Sequence, residues 1–239
     1  MKRDKFTSRA RSEGYKARSV FKLKNINNRF RLIKEGNRIL DLGAWPGSWS
    51  QYCLELKTNV DAVDLVKIKL EGINFIKEDV FSDKLFEKLD KYDVVLSDLA
   101  PKTVGIRKID NEDSFELSMR ALEITKKVLV KNGNFVCKIF QSEFFDPFVK
   151  EAKKVFRTVK VIKPEASRKR SKEVYVIGIA KRINIWFVLL LVKMEENIQI
   201  LGLKDFNEKE QNEVLELTQR YYEKIERNLP GLLKIHAKK

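Results

Sequence analysis

Three charged residues stand at or near the ends of apolar segments, where they could act on a bound substrate. Asp98 follows the apolar segment 92–97, Lys138 lies inside another such segment, and Glu173 opens a third after a basic loop. A buried ammonium group is costly unless it is paired or can lose its proton. Lys138 is therefore a candidate for proton transfer, or else a partly buried lysine at the edge of a sheet. Lys22 on its own indicates no more than a solvated lysine on a helix.

A glycine-rich turn at 41–47 could receive a cofactor. It reads Asp-Leu-Gly-Ala-Trp-Pro-Gly and stands between an apolar strand and a helix, so a cofactor can approach its backbone closely. It lacks the G-x-G-x-x-G spacing of dinucleotide-binding folds, which argues against a nicotinamide cofactor. Asp64 ends the next strand, where a carboxylate can accept hydrogen bonds from both hydroxyls of an adenosine ribose. Asp79 follows the third strand, where contacts to the adenine edge fall in such folds. Either carboxylate could instead be solvated in a loop.

The segments that carry these residues alternate between strands and helices. The hydrophobic pattern predicts helices at 16–32, 48–57, 112–131 and 144–156, and seven strands at 38–41, 60–64, 74–76, 92–97, 134–140, 158–162 and 173–180. Residues 1–15 are predicted as a polar arm, and Asn132-Gly133 as the stop of the third helix. This alternation is typical of an α/β fold with a mostly parallel sheet, helices on both faces and ligands at the carboxyl ends of the strands. Residues 183–239 predict a separate small α+β appendage, for which the sequence suggests no function.

The positive charge of the chain is concentrated in two regions. The chain has 49 Lys and Arg against 34 Asp and Glu, a net charge of +15, and residues 1–34 alone hold twelve basic and two acidic residues. A second basic cluster spans 160–172. Such concentration indicates a polyanionic partner, usually nucleic acid, although a generally lysine-rich composition would look similar. The candidate RNA-binding residues of the two regions are Arg9, Arg11, Lys16, Arg18, Arg168 and Arg170.

The rarest residue types exclude several classes of site. The single histidine, His236, is the fourth residue from the end, which argues against Ser-His-Asp triads, Cys-His pairs and histidine-ligated zinc. Cys53 and Cys137 stand among apolar residues without metal-like spacing, so we expect reduced core cysteines, no metal site and a cytoplasmic protein. The basic N-terminus has no apolar run behind it, so no signal peptide is expected. The longest apolar run, 185–192, is too short to span a bilayer.

Five ordered motifs connect these segments. They are Ser19-Val-Phe-Lys22-Leu, Asp41-Leu-Gly-Ala-x-Pro-Gly-x-Trp49-Ser-Gln51, Ser97-Asp98-x-Ala-Pro101, Lys138-x-Phe-Gln141 and Ser167-Arg168-x-Arg170-Ser-x-Glu173-Val-Tyr175. Together they resemble the FtsJ/RrmJ family of RNA ribose 2′-O-methyltransferases, over roughly residues 8–182. The resemblance implies a Rossmann-like methyltransferase fold, S-adenosylmethionine as cofactor and RNA as substrate.

Two positions depart from the family pattern. Trp45 replaces a usually small residue in the glycine turn, and Ser48 replaces a glycine. Because Gly43 and Gly47 remain, we expect cofactor binding to survive. Trp45 could narrow or cap the pocket.

The resemblance also implies the roles of individual residues. The family's Lys-Asp-Lys-Glu tetrad maps onto Lys22, Asp98, Lys138 and Glu173. The candidate cofactor contacts are the glycine and carboxylate positions of the turn and strand ends, with one tryptophan: Gly43, Gly47, Trp49, Asp64, Asp79 and Asp98. Our hypothesis is that Lys138 is the proton acceptor and Lys22 supplies a neighbouring positive charge, which favours a neutral amine. The two carboxylates would orient the amines.

Several functions are compatible with these residues. By resemblance to the compact members of the family, the expected substrate is a uridine in 23S large-subunit ribosomal RNA, methylated by a monomeric enzyme. A ribose in a tRNA anticodon loop is the first alternative. A non-catalytic RNA-binding module is the second, and the complete tetrad argues against it. An NAD-dependent oxidoreductase is a distant alternative, because the glycine spacing does not fit.

Overall fold

The computed structural model describes residues 4–168 and 171–182, which build a seven-stranded sheet. The strands are β1 (Arg38–Leu42), β2 (Asn59–Asp64), β3 (Ile73–Lys77), β4 (Tyr92–Ser97), β5 (Leu129–Phe140), β6 (Phe156–Ile162) and β7 (Glu173–Lys181). They lie in the order β3-β2-β1-β4-β5-β7-β6, with β1 to β5 parallel and β7 antiparallel to both of its neighbours. The predicted mostly parallel α/β sheet is confirmed. The predicted appendage at 183–239 lies outside the described residues, so it and its boundary stay predictions.

Helices cover both faces of this sheet. They are α1 (Lys5–Ser12), α2 (Val20–Phe30), α3 (Ser48–Glu55), α4 (Arg107–Val128) and α5 (Phe145–Val155), with a 3-10 helix at Asp83–Lys88. Ile39 of β1 packs in the apolar layer that contains α2 and α3, whereas its neighbour Leu40 packs in the layer that contains α4 and α5. Both layers exclude water, which is why the strands lack an alternation of polar and apolar residues. Among the residues that the structure describes, no helix is long and apolar enough to cross a membrane.

The N-terminal segment folds as a helix rather than as the predicted polar arm. The side chain of Asp4 caps α1 by accepting the backbone N–H of Phe6 at 3.0 Å. The ring of Phe6 lies 5.8 Å from the ring of Phe21 on α2, and Ala10 is buried. The prediction is wrong for residues 5–12, because the contacts of this helix with α2 depend on the tertiary fold and charge composition does not reveal them.

The junction between α4 and β5 also differs from the prediction. Helix α4 starts five residues earlier than predicted and ends at Val128, and the next residue, Leu129, already pairs with Tyr92 of β4. Asn132 adopts a positive φ of 61° inside β5, and the pairing of the two strands shifts register nearby. The Asn132-Gly133 pair therefore marks an irregularity within a strand, so its prediction as a helix stop is wrong.

Candidate active site

The parallel register places the predicted site residues side by side at the carboxyl edge of the sheet. Leu42 of β1 pairs with Val63 of β2 and with Ser97 of β4, and Ser97 pairs in turn with Cys137 of β5. Each of these residues is followed by a candidate: the glycine turn, Asp64, Asp98 and Lys138. Ligands of such folds bind at this edge.

Two lysine–carboxylate pairs form the centre of the site. The Nζ atom of Lys138 lies 3.0 Å from Oδ1 of Asp98 and donates to the backbone carbonyl of Asp98 at 2.6 Å. The Nζ atom of Lys22 donates to both carboxylate oxygens of Glu173 at 3.1 Å. The side chains of Lys138 and Lys22 are only 5% and 9% exposed. Each buried ammonium group is thus compensated by an acceptor, as burial requires.

Tyr175 joins the two pairs. It pairs with Lys138 in the antiparallel register of β5 and β7, and its hydroxyl donates to Oδ1 of Asp98 at 2.8 Å. Its ring centroid lies 5.7 Å from Nζ of Lys22. Burial, together with the charges of Asp98 and Glu173, raises the pKa of Tyr175 well above its usual value. The hydroxyl therefore stays protonated and acts as a donor. The structure brings the four residues of the predicted tetrad into one connected cluster.

The cluster borders a cleft of about 690 Å³, a volume typical of small-molecule sites. Lys22 and Glu173 line the cleft directly, and Tyr175 connects them to the Lys138–Asp98 pair. The remaining lining residues are three cations, one acidic residue and several polar or apolar residues: Arg18, Arg168 and Lys172, Asp110, and Ala100, Pro101, Thr103, Asn111, Phe140 and Ser171. This mixture suits a ligand that has both a phosphate and a planar base.

The glycine turn lies next to Asp98 at the same edge, because β1 pairs directly with β4. Gly43 has a φ of 73°, and a Cβ atom there would lie 2.8 Å from Cδ2 of Leu99. Gly47 has a φ of 106°, and its Cβ would lie 2.8 Å from Cγ2 of Ile68. Both positions therefore require glycine for the turn itself. Gly47 precedes α3 without a capping side-chain hydrogen bond, so the first N–H groups of α3 can receive an anionic group of a ligand.

Two carboxylates lie at or just after the ends of the neighbouring strands β2 and β3. Oδ2 of Asp64 accepts the backbone N–H of Trp45 at 2.9 Å, and Oδ1 accepts the N–H of Val66 at 2.8 Å. Oδ1 of Asp79 accepts the N–H of Phe81 at 2.9 Å, and Asp79 is exposed. A carboxylate oxygen can accept about two hydrogen bonds, so both groups keep capacity for hydroxyl or amine donors of a ligand.

Trp49 supports the site from inside the protein. Its side chain is buried, its indole N–H donates to the carbonyl of Ser19 at 2.9 Å, and its ring lies 5.8 Å from the ring of Tyr175. The indole thus fixes α2 and Tyr175, and a cofactor contact at this position would have to come from the backbone of Trp49.

Asp41, at the start of the glycine-turn motif, is fully buried. Its Oδ2 atom accepts the hydroxyl of Ser50 at 2.7 Å, whereas Oδ1 has no hydrogen-bond partner within residues 4–168 and 171–182. Burial raises the pKa of Asp41 to about 7, against the opposing hydrogen bond from Ser50, and the charges of Asp98 and Asp64 raise it further. The pKa of this carboxyl therefore lies close to neutrality.

The candidate RNA-binding residues have different environments. Arg18 pairs with Asp4 and donates to the carbonyl of Ala166, which ties the N-terminal segment to the basic loop. Burial, and next the charge of the exposed Arg168, lower the pKa of Arg18, so the two cations lie close together at the cleft. Arg18 therefore connects the N-terminal segment to the basic loop, whereas the side chain of Arg168 remains available to a ligand.

Three of the other candidates precede Arg18 in the N-terminal segment, and the fourth belongs to the basic loop. Nε of Arg9 donates to Glu13 at 2.6 Å on the surface of the helix. Arg11 and Lys16 are exposed, and Arg170 lies outside the part of the chain that the structure describes.

Three residues of the site have roles that the sequence pattern did not indicate. Tyr175 belonged to a motif, but its link between the two pairs depends on the register of β7. The hydroxyl of Ser171 donates to Oε2 of Glu173 at 2.9 Å. Asn111 is buried, lines the cleft and donates to Glu143 at 3.2 Å. No local pattern indicated Asn111, because α4 was predicted to start after it.

Comparison with known proteins identifies the family. The FtsJ-like methyltransferase model matches residues 15–181. The chain belongs to the FtsJ-like methyltransferase family. A relative from Bdellovibrio bacteriovorus, named ribosomal RNA large subunit methyltransferase E, is 42% identical over 193 residues, which are 75% of this chain and 97% of the relative. A relative of the same name from Archaeoglobus fulgidus is 44% identical over 182 residues, 74% of this chain and 95% of the relative.

A solved structure described as a ribosomal RNA methyltransferase from Plasmodium falciparum is similar with a TM-score of 0.63 and 25% sequence identity. The similarity covers 70% of this chain and 98% of that chain. The resemblance inferred from the motifs is confirmed, and with it the Rossmann-like methyltransferase fold of the described residues. The chain is accordingly a methyltransferase that uses S-adenosylmethionine.

The residues at the carboxyl edge fit this cofactor. Asp64 and Asp79 keep acceptor capacity for the ribose hydroxyls and the adenine edge, and the uncapped first turn of α3 suits the carboxylate of the methionine part. Asp98 follows β4, which lies between β1 with its glycine turn and β5 with Lys138.

Proposed function

We propose that this enzyme transfers a methyl group from S-adenosylmethionine to the 2′-hydroxyl of a ribose in RNA, with a uridine of 23S large-subunit ribosomal RNA as the favoured target. The proposal depends on the cluster of two nearly buried lysine–carboxylate pairs that Tyr175 joins. This cluster borders a cleft that Arg18, Arg168 and Lys172 also line. The names of the 40–45% identical relatives favour the large ribosomal subunit over other RNAs.

The tetrad supplies what this reaction needs from the protein. S-adenosylmethionine brings a methyl group that is already activated on a sulfonium, so the protein must align an oxygen behind it and remove the hydroxyl proton. In our proposal Lys138 first loses a proton to solvent, and its neutral amine then accepts the hydroxyl proton. Its amine is held by both the carboxylate and the carbonyl of Asp98, which leaves one position on nitrogen for the substrate. Lys22 supplies a second positive charge, which Glu173 holds in place.

The cations that line the cleft would position the RNA. Arg168 and Lys172 line the cleft beside Lys22, where phosphates flanking the target ribose would lie. Phosphate contacts fix register and orientation without reading sequence. We expect the RNA affinity to fall steeply with salt concentration, because each neutralised phosphate releases counterions.

We also propose that the enzyme acts as a monomer in the cytoplasm. All four tetrad residues come from one chain, so the proposed site needs no second copy. Both cysteines are buried and unpaired, as in proteins of a reducing compartment, and burial raises the pKa of Cys137 to about 12.

The substrate proposal is tested with two RNAs side by side. Purified enzyme and S-adenosylmethionine with a labelled methyl group are incubated with undermethylated large ribosomal subunits and, separately, with unmodified tRNA. Label on the large-subunit RNA alone supports the proposal. Label on the tRNA alone would keep the chemistry and overturn the target. Cofactor binding without transfer to either RNA would favour the non-catalytic RNA-binding module.

A further inference from the structure

Three large apolar side chains are exposed around the carboxylate of Asp64. Trp45 is 58%, Leu65 57% and Val66 53% exposed. The backbone N–H groups of Trp45 and Val66 donate to the two oxygens of Asp64, so the segments that carry these side chains are tied to one carboxylate. Contiguous exposed apolar patches that are rimmed by polar residues are typical of binding sites.

The surroundings of this patch suit a nucleoside. Asp64 follows Val63, which pairs with Leu42 beside the glycine turn, and each of its oxygens can still accept a hydroxyl donor. Phe81 is 51% exposed, and its N–H donates to Asp79, which stands after the neighbouring strand. Carboxylates that can bind a ribose diol and flat apolar groups that can cover a base thus occur together.

We propose that the indole of Trp45 packs against the nucleoside part of bound S-adenosylmethionine and slows its release. The inference rests on the proposed function only in taking S-adenosylmethionine as the cofactor, and it holds whichever RNA is methylated. Trp45 is suited to this role because its backbone is held by Asp64 while its side chain remains largely exposed. Bound cofactor would shield apolar surface on both partners from water.

The test measures cofactor binding by the full-length protein without RNA. Wild type, Trp45→Ala and Trp45→Phe are titrated with S-adenosylmethionine by calorimetry, and the dissociation rate is followed by stopped flow. A base–aromatic contact of this kind predicts a Kd roughly 5- to 150-fold weaker for Trp45→Ala, mostly through faster release, and a smaller loss for Trp45→Phe. Val161→Ala removes another exposed apolar side chain, on β6, and should bind like wild type.

Fluorescence gives a second readout. Trp45 is exposed and Trp49 buried, so covering Trp45 should shift the wild-type emission to shorter wavelength on saturation, and Trp45→Phe should abolish that shift. Equal melting temperatures without cofactor would show that the variants remain folded.

The inference would be overturned if the Kd and the dissociation rate of Trp45→Ala were within twofold of the wild-type values. Tighter binding by Trp45→Ala would also overturn it, because the indole would then obstruct the site. Both results would leave the proposed function intact. Absence of S-adenosylmethionine binding by wild type would overturn the inference and the proposed function together.

Discussion

The buried carboxyl of Asp41 makes the stability of the protein depend on pH in an unusual direction. Most paired carboxylates stabilise a fold as they ionise. Asp41 is instead buried with one oxygen bonded to Ser50 and the other without a partner among the described residues, and burial raises its pKa to about 7. In the unfolded chain an aspartate ionises near pH 3.9.

The size of the effect follows from the difference between these two pKa values. Between about pH 4 and pH 7 the folded protein keeps a proton on Asp41 that the unfolded chain has released, so stability falls as pH rises. A difference of about three pKa units corresponds to roughly 4 kcal/mol in total, of which about 3 kcal/mol falls between pH 5 and pH 8. Above pH 8 the contribution becomes constant.

The substitution Asp41→Asn tests this reasoning. It preserves the size of the side chain and an acceptor for the Ser50 hydroxyl, and it removes the titration. Urea denaturation of both proteins from pH 5 to pH 8 gives their difference in free energy of unfolding, in which the other titrating groups cancel. We expect the free energy of unfolding of wild type to fall by about 3 kcal/mol relative to that of the variant between pH 5 and pH 8. A difference that does not change with pH would refute the argument that burial keeps Asp41 protonated.

Three further predictions concern the site, the sheet and the RNA surface. Tyr175→Phe removes a donor to the charged carboxylate of Asp98, worth about 1.5–3 kcal/mol, so the single-turnover rate at saturating S-adenosylmethionine should fall at least tenfold; an unaltered rate would show that the hydroxyl does not organise the tetrad. In Gly178→Ala, Cβ would lie 2.4 Å from the ring of Phe156, so urea denaturation should show a loss of about 1–3 kcal/mol, and wild-type stability would contradict this packing. Arg168→Ala should reduce the slope of log RNA affinity against log salt concentration by roughly 0.7–0.9. Lys34→Ala is the control, because Lys34 precedes β1 at the amino edge of the sheet, and it should leave the slope unchanged. Equal slopes for the two variants would show that Arg168 makes no phosphate contact.

The parts of the fold that follow from local pattern were predictable. The seven strands and their mostly parallel arrangement came from apolar segments alternating with helices, and parallel pairing then places Asp64, Asp98 and Lys138 at one edge without further information. Lys22 came only from the resemblance to a family, because nothing local separates it from a solvated lysine on a helix. The structure pairs it with Glu173, a residue 151 positions away in the chain.

The features that the sequence did not reveal depend on long-range contacts. Helix α1 looks like a polar arm, and it becomes visible only through the packing of Phe6 on Phe21. The role of Tyr175 requires the antiparallel register of β7 on β5, which places it opposite Lys138. The Asn132-Gly133 pair has the local signature of a helix stop, and the pairing of Leu129 with β4 overrides it.

The role of Lys138 in methyl transfer to a ribose hydroxyl can be measured on the RNA product itself. Wild type and Lys138→Ala are compared for transfer of labelled methyl from S-adenosylmethionine to undermethylated large ribosomal subunits, and the RNA is then hydrolysed with alkali. A 2′-O-methyl group blocks cleavage of the adjoining phosphodiester, so wild-type label should appear in alkali-resistant dinucleotides. Transfer by Lys138→Ala should fall at least a hundredfold, the typical loss when general base catalysis is removed, while cofactor binding persists. Label in mononucleotides would mean that the methyl group is not on a ribose hydroxyl, and near-wild-type transfer by Lys138→Ala would mean that Lys138 is not the base.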